Sequence, residues 1–457
     1  MKIFKKQLTF DFDDANWDVD PALFVMHQIL ENREDLILLF QPCFANAKAE
    51  TASVVGRDGM TLEQVVRCTI YKQHNRLTYA ELSRATADSK LGRTFMKMGL
   101  RKQFSPQTLQ ENISKVTLEA LAAFDRALAL LALRLGVDSG KKVRPDSTVI
   151  KTNIHYPTNA SLLWDGVRAS CLLLKQAKAL FNEIRFRSYR KAGKKLFFKI
   201  VNTNGKGAKQ KRKPLFKRLL KTHKACENQV VEVAALLKNA VMNDEAEEKR
   251  RQKILRKLEA LLPKMQQVSD AAFRGEIEDE KVPVADKLFS IFEDHTDCIC
   301  KGGQKPLFGH KVNLTVGDSH FVFDCMIERG NPADAALYPK AVDNLEEKLS
   351  LVPDSIASDG GFASLKNRDY ALAKGVKNVV FNKVKGAMQN AASSKKMETM
   401  LKKWRAGVEA AISNFKRGLN AGTCTWKGWQ AFQKFVLWNV IVFNLRIIAR
   451  FVIKNVT

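Results

Sequence analysis

Apolar residues recur at helical spacing in the first third of the chain and predict a series of helices. One amphipathic helix is predicted over roughly Pro21 to Phe40, and a second over Leu62 to Lys72. Thr78 and Glu81 have the spacing of a capping box, which indicates that another helix begins there. Ser105 followed by proline has the pattern of an N-cap with proline in the first turn, and predicts one long helix to about Leu135.

Residues 1–140 are therefore predicted to form an N-terminal helical region. Short helices in a basic setting favour a DNA-binding module of the helix-turn-helix type, although a plain helical bundle would have the same pattern. The basic residues that carry this prediction are Arg93, Lys97, Arg101 and Lys102.

The stretch Lys142 to Ile154 is rich in β-branched residues and predicts a strand that opens an α/β region. Pro145 has no N–H to donate, so the paired part of the strand is expected to begin at Asp146. Asp146 lies next to apolar positions, where a carboxylate is costly unless a cation meets it. Two interpretations remain open at this point: a solvated aspartate at the start of a strand, or a metal ligand.

Residues 166–290 read as an almost wholly helical insertion with a strongly basic first part. The segment Arg185 to Lys224 holds about sixteen Lys and Arg and no acidic residue. Such a run is either a solvated face or a surface that contacts phosphates, and its one-sided charge favours phosphates. The candidate DNA-binding residues are Arg185, Arg187, Arg190, Lys211, Arg212 and Lys213.

Within this insertion the pattern predicts a loop and a helical hairpin. Asn202 to Lys213 is expected to be a loop because it is polar and glycine-containing. Val230 to Val241 and Glu247 to Leu262 predict two amphipathic helices that pair antiparallel. Pro263 is expected to stop or kink the second of them.

From Ile291 the hydrophobic period changes to two, and strands alternate with helices to the end of the chain. The fold class is therefore α/β, a sheet with flanking helices and one large helical insertion after its first strand. The catalytic region is expected to comprise residues 141–165 and 291–425, followed by a C-terminal helix over residues 426–457. The predicted elements are a hairpin of strands Gly309 to Val316 and Phe321 to Glu328, a helix from Asp334 to about Leu351, a strand at Ser355 to Gly361, a helix over Ala363 to Lys374, a strand at Asn378 to Phe381, and helices over Lys395 to Leu419 and Trp429 to Val452.

Composition changes this picture mainly through charge. The 457 residues include 76 Lys and Arg against 48 Asp and Glu, a net charge of +28, which favours a polyanionic partner such as nucleic acid. No secretory signal is recognised near the N-terminus, and polar residues interrupt the apolar segment Phe435 to Phe451, so we expect a cytoplasmic protein that joins the nucleoid when bound to DNA. Eight scattered cysteines fit a reducing compartment; a metal at Cys298 and Cys300 is the less favoured alternative, and the histidine spacing does not suggest zinc.

Two further acids could join Asp146. Asp359 ends a predicted strand and precedes two glycines, where a ligand could approach closely. Glu409 shares one helical stripe with Arg405 and Lys416, a pattern that also fits a surface salt-bridge ladder. Three carboxylates from two strands and a helix would suit two Mg²⁺ ions, which prefer oxygen ligands.

Several segments together resemble bacterial insertion-sequence transposases of the DDE class, whose catalytic domain has an RNase H-like fold. They are PDSTVIKTNIHYPTNASLLWDGVR, FGHKVNL with GNPADAALYP, SIASDGGFAS, and RAGVEAAISNFKRG. The resemblance covers residues 62–451 and implies that Asp146, Asp359 and Glu409 hold two Mg²⁺ ions, for which Mn²⁺ can substitute. In the subgroup pattern Y-x2-R-x3-E-x6-K, Arg405 and Lys416 match as DNA-binding residues, and Lys402 stands at the tyrosine position.

The resemblance also implies an activity and a partner. The protein would hydrolyse phosphodiesters at the terminal inverted repeats of its element and join the 3′ ends to target DNA, as a homodimer on DNA. The alternatives are a nuclease or resolvase on the same fold and a DNA-binding protein without catalysis. Trp164 is either a residue that stacks on a frayed base or a core aromatic.

Overall fold

The computed structural model describes residues 15–44, 59–99, 103–242, 244–300, 305–384, 386 and 388–456. The chain divides into two compact units. The first unit consists of Met1–Lys151 together with Gly309–Thr457, and the second unit of Thr152–Phe308. Each unit has its own hydrophobic core.

The N-terminal part of the first unit is helical, as the sequence predicts, but the single helix predicted over Pro21 to Phe40 is divided at Arg33, whose backbone angles are not helical. Thr61 and Thr78 each form a complete capping box with the Gln or Glu three residues later. The helices are α1 (Pro21–Asn32), α2 (Glu34–Leu38), α3 (Leu62–His74), α4 (Tyr79–Asp88), α5 (Lys90–Phe95), α6 (Pro106–Ser114) and α7 (Leu118–Arg134).

The single long helix predicted from Ser105 to Leu135 is wrong, because α6 and α7 are separate helices. Thr117 has extended backbone angles, and its side chain accepts a hydrogen bond from the Ala120 N–H, so it caps a new helix. A threonine ahead of an apolar run is a start signal for a helix, so Thr117 could have been recognised in the sequence. The continuous apolar pattern that follows it in α7 favoured one long helix instead.

The basic residues of this region serve the helical fold where they are described. Lys97 forms ion pairs with Glu31 and Glu63, at 2.8 and 3.2 Å. Arg93 donates hydrogen bonds to backbone carbonyls, one of them to Gly99 at 2.6 Å. Arg101 and Lys102 lie outside the described residues, and the assignment of this region to DNA binding stays a prediction.

A mixed sheet forms the centre of the first unit. The strands pair in the order β3-β1-β5-β6, with β4 on β3 and β7 on β1; β1 is antiparallel to β3 and parallel to β5, which is parallel to β6. The strands are β1 (Lys142–Thr152), β2 (Asp297–Ile299, in the second unit), β3 (Leu307–Val316), β4 (Val322–Glu328), β5 (Ser355–Ser358), β6 (Asn378–Phe381) and β7 (Thr423–Cys424).

Pairing of β1 begins before Asp146, contrary to the sequence prediction. Lys142 pairs with Ser355 on one side, and Arg144 pairs with Val316 on the other. Pro145 removes only its own donor, and the neighbouring pairs hold the strand on either side of it.

Five helices complete the first unit, and the predicted helix Lys395 to Leu419 is divided between two of them. The helices are α12 (Asp334–Leu349), α13 (Leu365–Ala373), α14 (Lys395–Arg405), α15 (Gly407–Gly418) and α16 (Trp429–Val456). By length and composition α16 could cross a membrane, but 67% of its most apolar window is buried inside the protein. Asn444 on α16 exchanges hydrogen bonds with the backbone of Val322, at 2.8 and 2.9 Å, so this helix packs as a core element.

The second unit is built from four long helices, as the basic helical insertion predicts. They are α8 (Asn159–Leu180), α9 (Arg190–Asn202), α10 (Ala208–Asn239) and α11 (Glu245–Glu276), and α10 packs against both α8 and α11.

One expectation for this unit is wrong, and one of the two alternatives for Pro263 is excluded. The predicted loop Asn202 to Lys213 is helical from Ala208 onward, because Lys, Gln and Arg are good helix formers despite their polarity. Pro263 lies inside α11, which continues to Glu276 rather than stopping. A short turn between α9 and α10 is closed by Arg212, which donates to the Thr203 carbonyl at 2.8 Å.

Candidate functional site

The two strand aspartates lie level with each other on adjacent parallel strands. Lys142 pairs with Ser355 and Val143 with Ile356, so the same register places Asp146 opposite Asp359. Asp146 is within β1, and Asp359 directly follows β5. Because parallel strands end at one edge of a sheet, this edge is where a ligand would meet both carboxylates.

Backbone donors hold both carboxylates. The Ser147 N–H donates to Asp146 at 2.7 Å, and the Gly360 N–H donates to Asp359 at 2.8 Å. The side chain of Asp146 is 18% exposed and that of Asp359 is 51% exposed. A large ligand could therefore reach Asp359 from solvent, while Asp146 lies deeper in the site.

The third carboxylate, Glu409, is carried by a helix that is interrupted just before it. Arg144 donates a 2.7 Å hydrogen bond to the Trp404 carbonyl, which in a continuous helix would receive the Val408 N–H. The Glu409 N–H bonds instead to the Ala406 carbonyl at 3.2 Å. The helical hydrogen bonding is therefore irregular at Ala406, where the Arg144 guanidinium occupies the Trp404 carbonyl, and the Glu409 side chain is 69% exposed.

The three carboxylates converge on the guanidinium of Arg405. Its Nη2 lies 3.1 Å from Glu409 and 3.8 Å from Asp146, and its Nη1 lies 3.6 Å from Asp359. Arg405 is buried, and only its contact with Glu409 has hydrogen-bond geometry. Three acids from two strands and a helix are therefore neighbours around one cation.

With Arg405 in this position the acids do not form a ready-made metal cluster. Within the described part of the chain, no group of three or more His, Cys, Asp or Glu side chains is arranged to hold a metal ion. The donor chemistry nonetheless fits a hard cation, because all three side chains offer carboxylate oxygen, the ligand type that Mg²⁺ prefers.

Two cations of β1, Lys142 and Arg144, pack against Trp404 at the end of α14. The Arg144 guanidinium lies 4.3 Å from the centre of the Trp404 ring, and Lys142 lies 5.3 Å from it. The Trp404 indole N–H donates to Asp318 at 2.6 Å, and Lys142 pairs with the same carboxylate at 2.8 Å. Partial burial alone would raise the pKa of Asp318, but bonds from Lys142 and Trp404 outweigh it and lower that pKa.

Besides Arg405, the predicted helix pattern includes Lys402 and Lys416. Within the described residues, only Lys416 contacts β1. Lys416 donates a 2.9 Å hydrogen bond to Thr148, which lies on the same face of β1 as Asp146. Lys402 forms an ion pair with Glu398 at 2.6 Å, one turn earlier on α14. Lys416 is therefore a neighbour of the carboxylates through Thr148, and Lys402 is engaged along its own helix.

The other DNA-binding candidates lie in the second unit. Arg185, Arg187, Arg190 and Lys211 are exposed, while Lys213 pairs with Asp279 at 3.4 Å. Trp164 is partly buried in the core of this unit, with its ring against Gly193 on α9.

Sequence reasoning missed two features that the folded chain displays. Arg144 was not singled out, although its position two residues before Asp146 on one strand face was a usable signal. In the second unit a cavity of about 400 Å³ between α9 and α10 is lined by four basic side chains, whose spacing along the two helices gives no sign that they meet; they are Lys195, Lys199, Arg218 and Lys221.

Comparison with known families agrees with this geometry. Residues 295–445 match the family model of the transposase DDE domain. The chain carries a DDE transposase domain. The matched segment includes Asp359 and Glu409, and Asp146 precedes it. No curated protein and no solved structure matches the chain.

The match to the transposase DDE domain gives the site a general chemical setting. Transposases act on DNA, and DDE transposases generally use divalent metal ions. The mixed sheet with flanking helices is consistent with an RNase H-like core, as the sequence predicted. The finer assignment to the Y-R-E-K subgroup stays a prediction.

Proposed function

We propose that this DDE transposase hydrolyses phosphodiester bonds at the ends of an insertion sequence and joins the freed 3′ ends to target DNA, using Mg²⁺. The single observation that carries the proposal is the convergence of Asp146, Asp359 and Glu409 on Arg405. Packing of a hydrophobic core does not require three acids from separate elements around one guanidinium, so this arrangement favours a functional role.

The charge balance of the site favours an additional cation. Three carboxylates face the guanidinium of Arg405, so the acids outnumber this cation by three to one. Like charges this close repel one another unless a cation or a proton intervenes. Binding of a divalent ion would relieve this repulsion, and would release Arg405 to contact a phosphate.

Asp146, Asp359 and Glu409 would hold the ions, in which role Mn²⁺ could replace Mg²⁺. When bound, such ions lower the pKa of a bound water and stabilise charge on the attacking and leaving oxygens. Arg405 and Lys416 then provide fixed positive charge beside the reacting phosphate. Asp359 and Glu409 are accessible enough for a DNA strand to approach them.

The basic residues of the second unit are proposed to hold the DNA backbone. Arg185, Arg187 and Arg190 are exposed near the start of α9, and the adjacent cavity adds four cationic side chains. Arginine and lysine in this density contact phosphates without reading sequence. We expect recognition of the terminal inverted repeats and a homodimer that pairs two ends.

The proposal is tested with the full chain and labelled duplexes that contain the ends of the element. In Mg²⁺, and not in EDTA, the protein should cut the end and should join a pre-cut 3′ end to a plasmid. If the protein cuts the end but does not join it to the plasmid, the result would favour the alternative function, a nuclease or resolvase of the same fold. Binding without either reaction would contradict the proposed chemistry.

A further inference from the structure

A cationic cavity lies in the first unit, on elements that do not carry the three carboxylates. Its volume is about 530 Å³, and it is bordered by α3, α4, α6 and the segment from the end of α15 to α16. The cations on its wall are Lys72, Arg76 and Lys427, and no aspartate or glutamate lines it. A volume of this size suits a small-molecule group or one nucleotide.

Lys72 is a buried cation without an ion-pair partner at contact distance, and the charge of Glu81 acts on it more weakly than its burial does. Its residue is 5% exposed, and no acidic side chain in the described ranges lies within ion-pair distance of it. Its ammonium lies 4.9 Å from the centre of the Tyr79 ring and 5.6 Å from that of Trp426. Burial lowers the pKa of Lys72 to about 8, which reflects the cost of this buried charge.

Gln73, the next residue, adds an unused hydrogen-bond donor to the same wall. It is 4% exposed, and its amide Nε2 has no hydrogen-bond partner. The Gln73 side-chain oxygen accepts a long 3.5 Å bond from Lys72, so the two polar heads are adjacent. A buried donor without a protein partner costs on the order of one hydrogen bond, and a ligand oxygen at this wall would recover it.

We propose that this cavity binds a phosphate group carried by a nucleotide. Phosphate oxygens would accept from the Lys72 ammonium and the Gln73 amide, the two buried donors that lack a strong acceptor. Arg76 and Lys427 on the exposed side would draw the anion inward. Two sources share this chemistry: a backbone phosphate of a bound DNA strand and a free nucleotide.

The proposal does not depend on catalysis at Asp146, Asp359 and Glu409. Only the choice of a DNA strand as the source of the phosphate rests on the proposed transposase function. A variant of the carboxylates can therefore lose catalysis while the cavity still binds phosphate, and a variant of the cavity can lose phosphate binding while the carboxylates are intact.

The test is isothermal titration of the full chain at constant ionic strength, with three probes: inorganic phosphate, a deoxynucleoside monophosphate and a short single-stranded oligonucleotide. We expect the wild type to bind, and Lys72→Met to weaken binding of the best probe at least about tenfold. Asp369→Asn, at a surface aspartate that pairs with Arg368, should bind the probes as the wild type does. Lys281→Met removes one exposed lysine of the second unit and controls for net charge.

The probes and a second variant decide the outcome. If the cavity variants lose most affinity for the oligonucleotide, the cavity is assigned to a DNA strand, and if they lose most affinity for the monophosphate, it is assigned to a free nucleotide. Gln73→Leu, which keeps the lysine, should also weaken binding and covers the case in which Lys72→Met does not fold. Equal affinity of wild type, Lys72→Met and Gln73→Leu, or no binding of any probe by the wild type, would overturn the proposal.

Discussion

Arg405 on α14 lies within 3.8 Å of Asp146 on β1, although most of the first unit's sheet and the whole second unit separate them in sequence. The same guanidinium reaches Asp359 and Glu409. Arg405 is therefore a positive charge that all three acids share.

Replacement of Arg405 by glutamine should make the fold depend on divalent ions. Without the guanidinium the three carboxylates lose their shared cation, and the expected loss of stability is about 1–3 kcal/mol in EDTA. Mg²⁺ should restore most of it, since an ion can take the same charge-balancing position. Thermal denaturation with and without Mg²⁺ measures this; equal melting temperatures of Arg405→Gln in both buffers would count against the charge-balance argument.

Arg144 is expected to act as a positioning residue for the helix that carries Glu409. Arg144→Met removes the bond to the Trp404 carbonyl, so α14 and α15 can close into one helix and shift the glutamate. A displacement near 1 Å at the reacting groups costs up to about 100-fold in rate, so a 10–100-fold loss of end cleavage is expected with DNA affinity unchanged.

Lys142→Met is the matched control for Arg144→Met. Lys142 lies over the same Trp404 ring, but its ion pair is with Asp318 at 2.8 Å, and no hydrogen bond joins it to the Trp404 carbonyl in the described structure. Its cleavage rate should stay within about threefold of the wild type. Equal losses in the two variants would show that the carbonyl bond does not position Glu409.

The buried charge of Lys72 predicts a rise of stability with pH. Burial lowers its folded-state pKa from 10.5 to about 8, so between these pH values the unfolded chain holds a proton that the folded chain has released. Stability should therefore increase from about pH 8 to pH 10.5, by on the order of 3 kcal/mol from this residue. Denaturant titrations should show a shallower rise for Lys72→Met than for Lys281→Met, and parallel curves would refute the assignment.

Salt dependence tests the basic surface of the second unit. Changing Arg185, Arg187 and Arg190 to glutamine should reduce the slope of log affinity against log salt by up to about 0.9 for each lost phosphate contact. The control changes three lysines that already pair with acids, at 2.6 to 2.8 Å: Lys249, Lys374 and Lys377. If both triple variants lower the slope equally, net charge rather than this surface controls binding.

Local signals in the sequence predicted the elements better than their junctions. The capping box at Thr78 and the β-branched residues of β1 are features of neighbouring residues, so they can be read from a short segment. The interruption at Ala406 coincides with a hydrogen bond from Arg144, which no local pattern reveals. The helical start of α10 at Ala208 was misjudged because polar composition was weighted above helix propensity.

In the candidate site, too, the individual residues could be predicted from the sequence, whereas the contacts between distant residues could not. The sequence and its family resemblance singled out Asp146, Asp359 and Glu409, and the register of β1 against β5 explains why the two aspartates lie level. The central position of Arg405 could not be predicted, since a stripe of Arg, Glu and Lys on a helix fits a surface ladder equally well. The Lys72 cavity was also missed, because its wall is assembled from segments at both ends of the chain.

The most direct test of the central claim is Mg²⁺-dependent cleavage of labelled element ends by Asp146→Asn, Asp359→Asn and Glu409→Gln, with DNA affinity measured in parallel. Asp369→Asn serves as the control, since that aspartate pairs with Arg368 on the surface. The account predicts that each of the three variants loses at least about 10³-fold in cleavage and keeps its DNA affinity, while the control cleaves normally. Cleavage within tenfold of the wild type by any one of the three would contradict it.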